Sequence, residues 1–261
     1  MKDIHGPSRP ARILIIAGSD SSGGAGIQAD IKTVTMLGGH AMTAVTAITA
    51  QNSRGVHGVH PVPTQMVLDQ IEACMSDIGV DAVKIGMIGS AETAQAVAEM
   101  LTGLGESISI VLDPVMVASS GSVLADEATI AAFGSLMDVA TLVTPNLPEL
   151  AALGGEDAIL RHGTALLVKG GHAEGAEITD RLIAADGTET RWTDARIDTP
   201  HDHGTGCTLA SAIAAGLGEG MALPDAIARA RAFVRASLRA APDFVADNGP
   251  MGQQAVKVDG L

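Results

Sequence analysis

The sequence predicts an α/β protein with a doubly wound, mostly parallel sheet and helices on both faces, giving three layers. Short apolar runs alternate with helical patterns along the chain, as expected of successive βαβ units with right-handed crossovers. Only 2% of residues are aromatic against 46% hydrophobic, so the core must be filled by Ala, Val, Ile, Leu and Met. That composition is typical of a parallel sheet covered by helices.

The elements follow from this alternation. Strands are predicted over residues 12–17, 44–50, 82–85, 108–113, 141–144 and 165–169, and helices over 27–37, 63–78, 91–103, 126–137, 146–153, 209–216 and 224–241. Cys74 lies in an apolar stripe at helical spacing and is interpreted as core filler. The arginines of the last helix, Arg231, Arg235 and Arg239, oppose its apolar stripe and are interpreted as a solvated face.

Neither a linker nor an internal repeat divides the 261 residues. We expect a single domain over residues 1–261, with residues 1–11 as a flexible N-terminal tail. A net charge of −14 argues against binding to nucleic acid or an anionic membrane. The two cysteines do not form a disulfide framework, and neither a leader peptide nor a membrane span is recognisable. A cytoplasmic protein acting on small molecules is therefore expected.

The most informative segment is His-Gly-Thr-Gly-Cys-Thr at residues 203–208, immediately before a helix of small residues. Unpaired backbone N–H groups and the positive end of the helix dipole meet at such a helix start. The site would bind an anion and lower the pKa of Cys207, which suits a phosphate and a general base. The alternative is that Cys207 is a small buried hydrophobic residue.

Polar residues also follow the other predicted strands. Gly24, Gly26 and Ala29 fit the loose dinucleotide fingerprint after the first strand, but the acidic residue expected about twenty positions later is missing. A ligand-free turn is the alternative there. His201 and His203 lack the further ligands that a transition metal needs.

Three further strand ends carry charged residues. Asp113 ends an apolar strand and needs a cation partner, either Mg²⁺ or a basic side chain. Asn146 and Glu149 form a capping box, and Glu149 could also hold Mg²⁺ through water. Lys169 is followed by two glycines, which would allow a phosphate to approach closely.

Together these segments resemble the hydroxymethylpyrimidine/phosphomethylpyrimidine kinases of thiamin biosynthesis, which belong to the ribokinase-like superfamily. The matching segments are residues 17–33, 51–52, 84–87, 112–116, 144–149, 168–172 and 203–208. The family implies a ribokinase-like fold and ATP-dependent phosphorylation of 4-amino-5-hydroxymethyl-2-methylpyrimidine and then of its monophosphate. Sugar kinases of the superfamily usually carry Asp at the position of Cys207.

The resemblance also assigns roles to residues. It implies a pyrimidine pocket made by Gly18, Asp30, Gln51, Met87 and Val115. It implies nucleotide contacts from Asn146, Lys169 and His203, and Mg²⁺ binding on the side of Asp113 and Glu149. The catalytic segment would be Gly204, Thr205, Gly206 and Cys207, with Cys207 as the base. A homodimer is common in that family.

The chain departs from the family pattern in two places. His201 and Asp202 stand where Asn-Thr is frequent, and the tail at 247–250 lacks a lysine often found after a comparable glycine. Three alternative functions stay open from the sequence. They are a pyridoxal or pyridoxine kinase of the same fold, an NAD-dependent oxidoreductase, and a non-catalytic pyrimidine-binding protein.

Overall fold

The computed structural model describes residues 9–104, 107–118, 121–172 and 175–256. Its strands are β1 Arg12–Ala17, β2 His40–Val45, β3 Ala47–Asn52, β4 Gly55–Pro61, β5 Ala82–Ile85, β6 Ser109–Leu112, β7 Leu142–Val143, β8 Ala165–Val168, β9 Glu177–Ile183 and β10 Glu189–Ala195. Its α-helices are α1 Gly26–Met36, α2 Thr64–Asp77, α3 Ala91–Thr102, α4 Glu127–Met137, α5 Leu147–Ala152, α6 Glu156–Leu160, α7 Thr205–Gly218 and α8 Leu223–Arg239.

Eight strands form one sheet in the order β10-β9-β8-β7-β6-β5-β1-β2. The six strands from β2 to β8 in this order pair in parallel, whereas β9 and β10 are antiparallel. The predicted fold class is confirmed. The chain passes from β1 to β2 on one side and returns to β5 on the other, so the strand order reverses at β1. Ligands of such sheets bind beyond the carboxyl ends of the strands near this reversal.

Alternate side chains of each central strand supply two separate cores. Leu14 and Ile16 face the cluster formed with α2, α3 and α4, and Cys74 packs against this cluster as predicted. Ile13 and Ile15 face the opposite cluster, formed with α1, α7 and α8. Because both faces are covered, the central strands read as continuous apolar runs.

The predicted strand over 44–50 is wrong in its bounds, because the chain turns away from the main sheet at Thr46. Thr46 donates its backbone N–H to Ala17 and its hydroxyl to the carbonyl of Met87. The segment therefore divides into β2, which ends in the main sheet, and β3, which pairs only with β4 in a separate two-stranded hairpin.

The interpretation of the C-terminal arginines as a solvated face is also wrong for two of the three. Arg231 bonds Asp180 on β9 at 2.7 Å and Asp194 on β10 at 2.9 Å. Arg235 donates to the carbonyl of Ala195 at 2.9 Å, and Arg239 is exposed. Arg231 and Arg235 instead connect α8 to the antiparallel β9–β10 edge.

Of the predicted N-terminal tail, residues 1–8 lie outside the described part of the chain. Ala11 is buried, and its carbonyl accepts the backbone N–H of His40 at 2.8 Å, so the chain is anchored one residue before β1. Across the described ranges, none of the helices has the length and apolar character needed to cross a membrane.

Candidate active site

A cavity of about 980 Å³ opens at the carboxyl ends of the parallel strands, next to the start of α7. Of the residues proposed from the sequence, all but Asp30 line it: Gly18, Gln51, Met87, Asp113, Val115, Asn146, Glu149, Lys169, His203, Gly204, Thr205, Gly206 and Cys207. The cavity continues toward β9 and α8, where Asp180, Arg231 and Arg235 line it. This part of the cavity was not predicted, because the sequence pattern did not reveal β9 and β10.

The start of α7 lies close to the loop after β1. Gly204 has a φ of 89°, and a Cβ atom there would overlap the carbonyl oxygen of Gly24. Only glycine therefore fits this position. Thr208 donates the first i→i−4 hydrogen bond of α7, to Gly204, so the N–H groups of Gly206 and Cys207 precede the helical ladder. These N–H groups make the helix start suitable for an anion.

A charged cluster faces this helix start. Lys169 bonds Asp113 at 2.7 Å and lies 3.8 Å from Glu149. A Cβ atom on Gly206 would lie 3.3 Å from the Lys169 ammonium, so the glycine lets the two approach. Burial alone would lower the pKa of Lys169, but the charges of Asp113 and Glu149 raise it above its ordinary value. Lys169 is therefore a permanent cation beside the helix start.

The two carboxylates of this cluster share one ammonium group. Burial raises the pKa of Glu149, and the neighbouring charge of Asp113 adds to that effect against the opposing charge of Lys169. Across the described residues, no group of three or more His, Cys, Asp or Glu side chains could hold a metal by itself. Mg²⁺ is commonly held by one or two carboxylates together with substrate phosphates and water. The surplus negative charge and oxygen donors of Asp113 and Glu149 fit that ion.

Asp20 organises the loop between β1 and α1, a role that the sequence analysis missed. Its carboxylate accepts hydrogen bonds from Ser22, Gly24 and Ala25, and from the imidazole of His203 at 2.8 Å. His203 also lies 3.5 Å from the amide of Gln51. The structure therefore places His203 beside Gln51 and the β1–α1 loop.

Replacing Asp20 with asparagine should reduce the acid sensitivity of the fold. Burial would raise the pKa of Asp20, but hydrogen bonds from His203, Ser22 and Ala25 outweigh it and lower the pKa to about 2. This stabilisation is complete above the unfolded-state pKa of about 4 and is lost as pH falls toward 2. Between pH 5 and pH 2 the wild type should lose about 2 kcal/mol more unfolding free energy than Asp20→Asn.

Urea denaturation at several pH values would measure this difference. Asp69→Asn, which changes an exposed carboxylate on α2, is the matched control and should follow the wild type. Parallel curves for the wild type and Asp20→Asn would show that Asp20 does not stabilise the loop.

Cys207 lies in the first turn of α7, partly exposed to the cavity. Burial raises the pKa of its thiol to about 11, although Lys84 and a hydrogen bond from the Gly26 N–H act in the opposite direction. The expectation of a lowered pKa is therefore wrong. Loss of solvation outweighs the charge of Lys84 and the Gly26 N–H, and the neighbouring carboxylates of Asp30 and Asp113 also oppose the thiolate.

Asp30 is the one proposed site residue that does not line the cavity. It is fully buried, and its two oxygens bond Lys84 at 3.1 and 2.9 Å and Ser211 at 2.7 Å. Lys84 and Gln51 line the cavity instead. From the sequence, an acidic residue that lines the cavity could not be distinguished from one buried against Lys84 and Ser211.

A helix start suited to an anion lies beside a fixed lysine and two carboxylates at the carboxyl ends of a doubly wound sheet. This arrangement is that of a phosphotransferase of the ribokinase-like fold. The family model for phosphomethylpyrimidine kinase matches residues 20–252. The chain belongs to the phosphomethylpyrimidine kinase family.

Three relatives illustrate the likeness. The chain is 47% identical to a hydroxymethylpyrimidine/phosphomethylpyrimidine kinase of Rhizobium meliloti over 243 residues, which cover 87% of this chain and 90% of that protein. It resembles the structure of phosphomethylpyrimidine kinase from Clostridium difficile with a TM-score of 0.73 and 35% identity, covering 86% of this chain and 98% of the other. It resembles pyridoxal kinase from Staphylococcus aureus in complex with AMP-PCP and pyridoxal with a TM-score of 0.83 and 31% identity, covering 94% of each chain.

Proposed function

We propose that the protein transfers the γ-phosphoryl group of ATP to the hydroxymethyl group of 4-amino-5-hydroxymethyl-2-methylpyrimidine. A second transfer to the resulting monophosphate gives the diphosphate that enters thiamin biosynthesis. The observation that carries this proposal is the convergence of the α7 start, Cys207 and Lys169 on one cavity that also has an apolar, amide-bearing wall. Because ATP is the phosphoryl donor, we expect the reaction to take place in the cytoplasm.

One part of the cavity wall suits a flat aminopyrimidine. Gly18, Met87 and Val115 offer apolar surface, and a Cβ atom on Gly18 would lie 3.0 Å from the Met87 sulfur. Gln51 supplies an amide that can donate to a ring nitrogen or accept from an amino group. A sugar would need more polar partners than this wall presents. Asp30 and Gln51 were both assigned to the pyrimidine, and of the two only Gln51 lines the cavity.

The nucleotide phosphates would lie over the start of α7 and against Lys169. Positioning and charge neutralisation dominate phosphoryl transfer, since the protein forms few covalent bonds in the reaction. Asp113 and Glu149 would hold Mg²⁺, which neutralises charge on the phosphates when bound. The Gly206 and Cys207 N–H groups would stabilise the transferring group. The Asn146 side chain caps α5 by accepting the backbone N–H of Glu149 at 2.8 Å. The backbone N–H of Asn146 donates to the Glu149 carboxylate at 2.8 Å and so fixes that carboxylate.

In the reaction, the substrate hydroxyl oxygen forms a bond to the γ-phosphorus while the bond from that phosphorus to the β-γ bridging oxygen breaks. ADP leaves, and the proton of the hydroxyl passes to Cys207. The cysteine stands where sugar kinases of the superfamily usually carry Asp. Its high thiol pKa means that the thiolate, once formed, is a strong proton acceptor.

The test is a substrate panel followed by ³¹P NMR. The purified protein is incubated with ATP and Mg²⁺, and with the pyrimidine alcohol, pyridoxal or ribose, with EDTA in parallel samples. We expect a pyrimidine monophosphate followed by a diphosphate, and no product with EDTA. A preference for ribose, or ligand binding without ADP release, would contradict the proposal.

Pyridoxal kinase is the second candidate, because the TM-score of 0.83 to the Staphylococcus aureus enzyme exceeds the 0.73 to the Clostridium difficile enzyme. Pyridoxal shares the hydroxymethyl group on a flat nitrogen heterocycle. A higher kcat/KM for pyridoxal than for the pyrimidine in the same panel would establish this function instead. The homodimer stays a prediction, which sedimentation velocity would test.

A further inference from the structure

A fully buried ion pair lies beneath the cavity and has no part in the mechanism above. Lys84 on β5 and Asp30 on α1 are both 0% exposed, and the ammonium bonds both carboxylate oxygens. Apolar residues of similar size often stabilise a fold as well as a buried ion pair does. Charged groups buried beside a reaction site therefore point to a role in its chemistry.

Two contacts between α1 and α7 place this pair one helical turn from Cys207. At the first, the N–H of Gly26 bonds the sulfur of Cys207. At the second, the hydroxyl of Ser211 donates to Asp30 at 2.7 Å. Asp30 follows Gly26 by four residues, and Ser211 follows Cys207 by four, so both contacts lie on the same facing sides of the two helices.

Lys84 extends from this pair toward the cavity. It lines the same cavity as Cys207. A Cβ atom on Gly86 would lie 2.7 Å from its ammonium nitrogen, so a larger residue at position 86 would displace the charge. The glycine after the strand thus leaves space for a lysine that Asp30 holds in a fixed position.

Four charged groups act on Cys207: Lys84, Asp30, Asp113 and Lys169. Lys169 is bonded to Asp113 at 2.7 Å and serves the phosphate side. Burial raises the pKa of Cys207, and the strongest charge that acts against this increase is Lys84. Asp30 raises the thiol pKa less than Lys84 lowers it.

We propose that Lys84 is a positioning residue for Cys207, and that its ammonium, held by Asp30 and Ser211, stabilises the thiolate that accepts the substrate proton. The proposal rests on the proposed role of Cys207 as proton acceptor. It is tested without turnover, so that its failure can be told apart from failure of the proposed function.

The experiment measures alkylation of Cys207 by iodoacetamide from pH 7 to pH 10, followed by mass spectrometry. The chain has two cysteines, so a Cys74→Ser background leaves Cys207 as the single thiol. In that background Lys84→Met combined with Asp30→Asn removes both charges together, which avoids an unpaired buried charge. Below the thiol pKa the alkylation rate follows the thiolate fraction. At pH 8 the rate in the double variant should therefore be about 10-fold lower than in the background protein.

Asp30→Asn alone keeps the ammonium and a hydrogen-bond acceptor for it. This variant should react at least as fast as the background protein, because the stabilising charge remains and the opposing one is lost. Equal rates for the double variant and the background would overturn the proposal, and so would a slower rate for Asp30→Asn. Circular dichroism establishes that each variant is folded, and the single variant keeps the test informative if the double variant is not.

Discussion

Replacing Cys207 with alanine is expected to lower kcat by about 10²–10⁴ while the Kd for ATP changes little. The expected loss is the contribution of a general base positioned at the reacting hydroxyl. Alanine keeps the helix start, its N–H groups and Lys169, which account for nucleotide binding in the proposed mechanism. Steady-state kinetics and ATP titration by calorimetry would measure the two quantities.

Cys74→Ala is the matched control for this substitution, because Cys74 packs beside the apolar core and does not line the cavity. It should keep wild-type kcat. An unchanged kcat in Cys207→Ala would remove Cys207 from the role of proton acceptor. A loss confined to ATP affinity would instead make Cys207 part of the phosphate site.

Replacing Lys169 with methionine is expected to lower kcat/KM by about 10²–10³, the usual cost of removing one fixed donor from a developing charge. The substitution also leaves Asp113 and Glu149 without their shared cation. Their mutual repulsion should raise the pKa of Glu149 further, because the opposing charge of Lys169 is lost. Activity should then depend more steeply on the Mg²⁺ concentration.

Arg191→Met, which removes an exposed positive charge from β10, is the control and should behave as the wild type. Kinetics at a series of Mg²⁺ concentrations would measure both variants. If Lys169→Met had the same kcat/KM as Arg191→Met, the phosphates would not bind beside Lys169.

The central sheet was predictable because its strands are buried on both faces and read as apolar runs. The β3–β4 and β9–β10 hairpins were not. All seven residues of β10 alternate between exposed and half-buried, and most of β4 is exposed. The apolar runs that mark buried strands are therefore missing from both. The turn at Thr46 depends on contacts with Ala17 and Met87, which only the tertiary structure supplies.

Much of the site could also be predicted, because parallel strands bring their carboxyl ends to one edge of the sheet. Asp113, Lys169 and the α7 start meet there as expected. The thiol pKa could not be predicted, since the helix start was visible in the sequence and the burial of Cys207 was not. The burial of Asp30 could not be predicted either, because its partner Lys84 is 54 residues away in the sequence.

The pH dependence of kcat/KM, compared between the wild type and Cys207→Ala, tests the role of Cys207 most directly. A thiol pKa of about 11 leaves about one molecule in a thousand ionised at pH 8. The wild-type value should therefore rise close to tenfold per pH unit between pH 8 and pH 10, whereas Cys207→Ala should stay flat. The same rise in both proteins would show that another group accepts the proton.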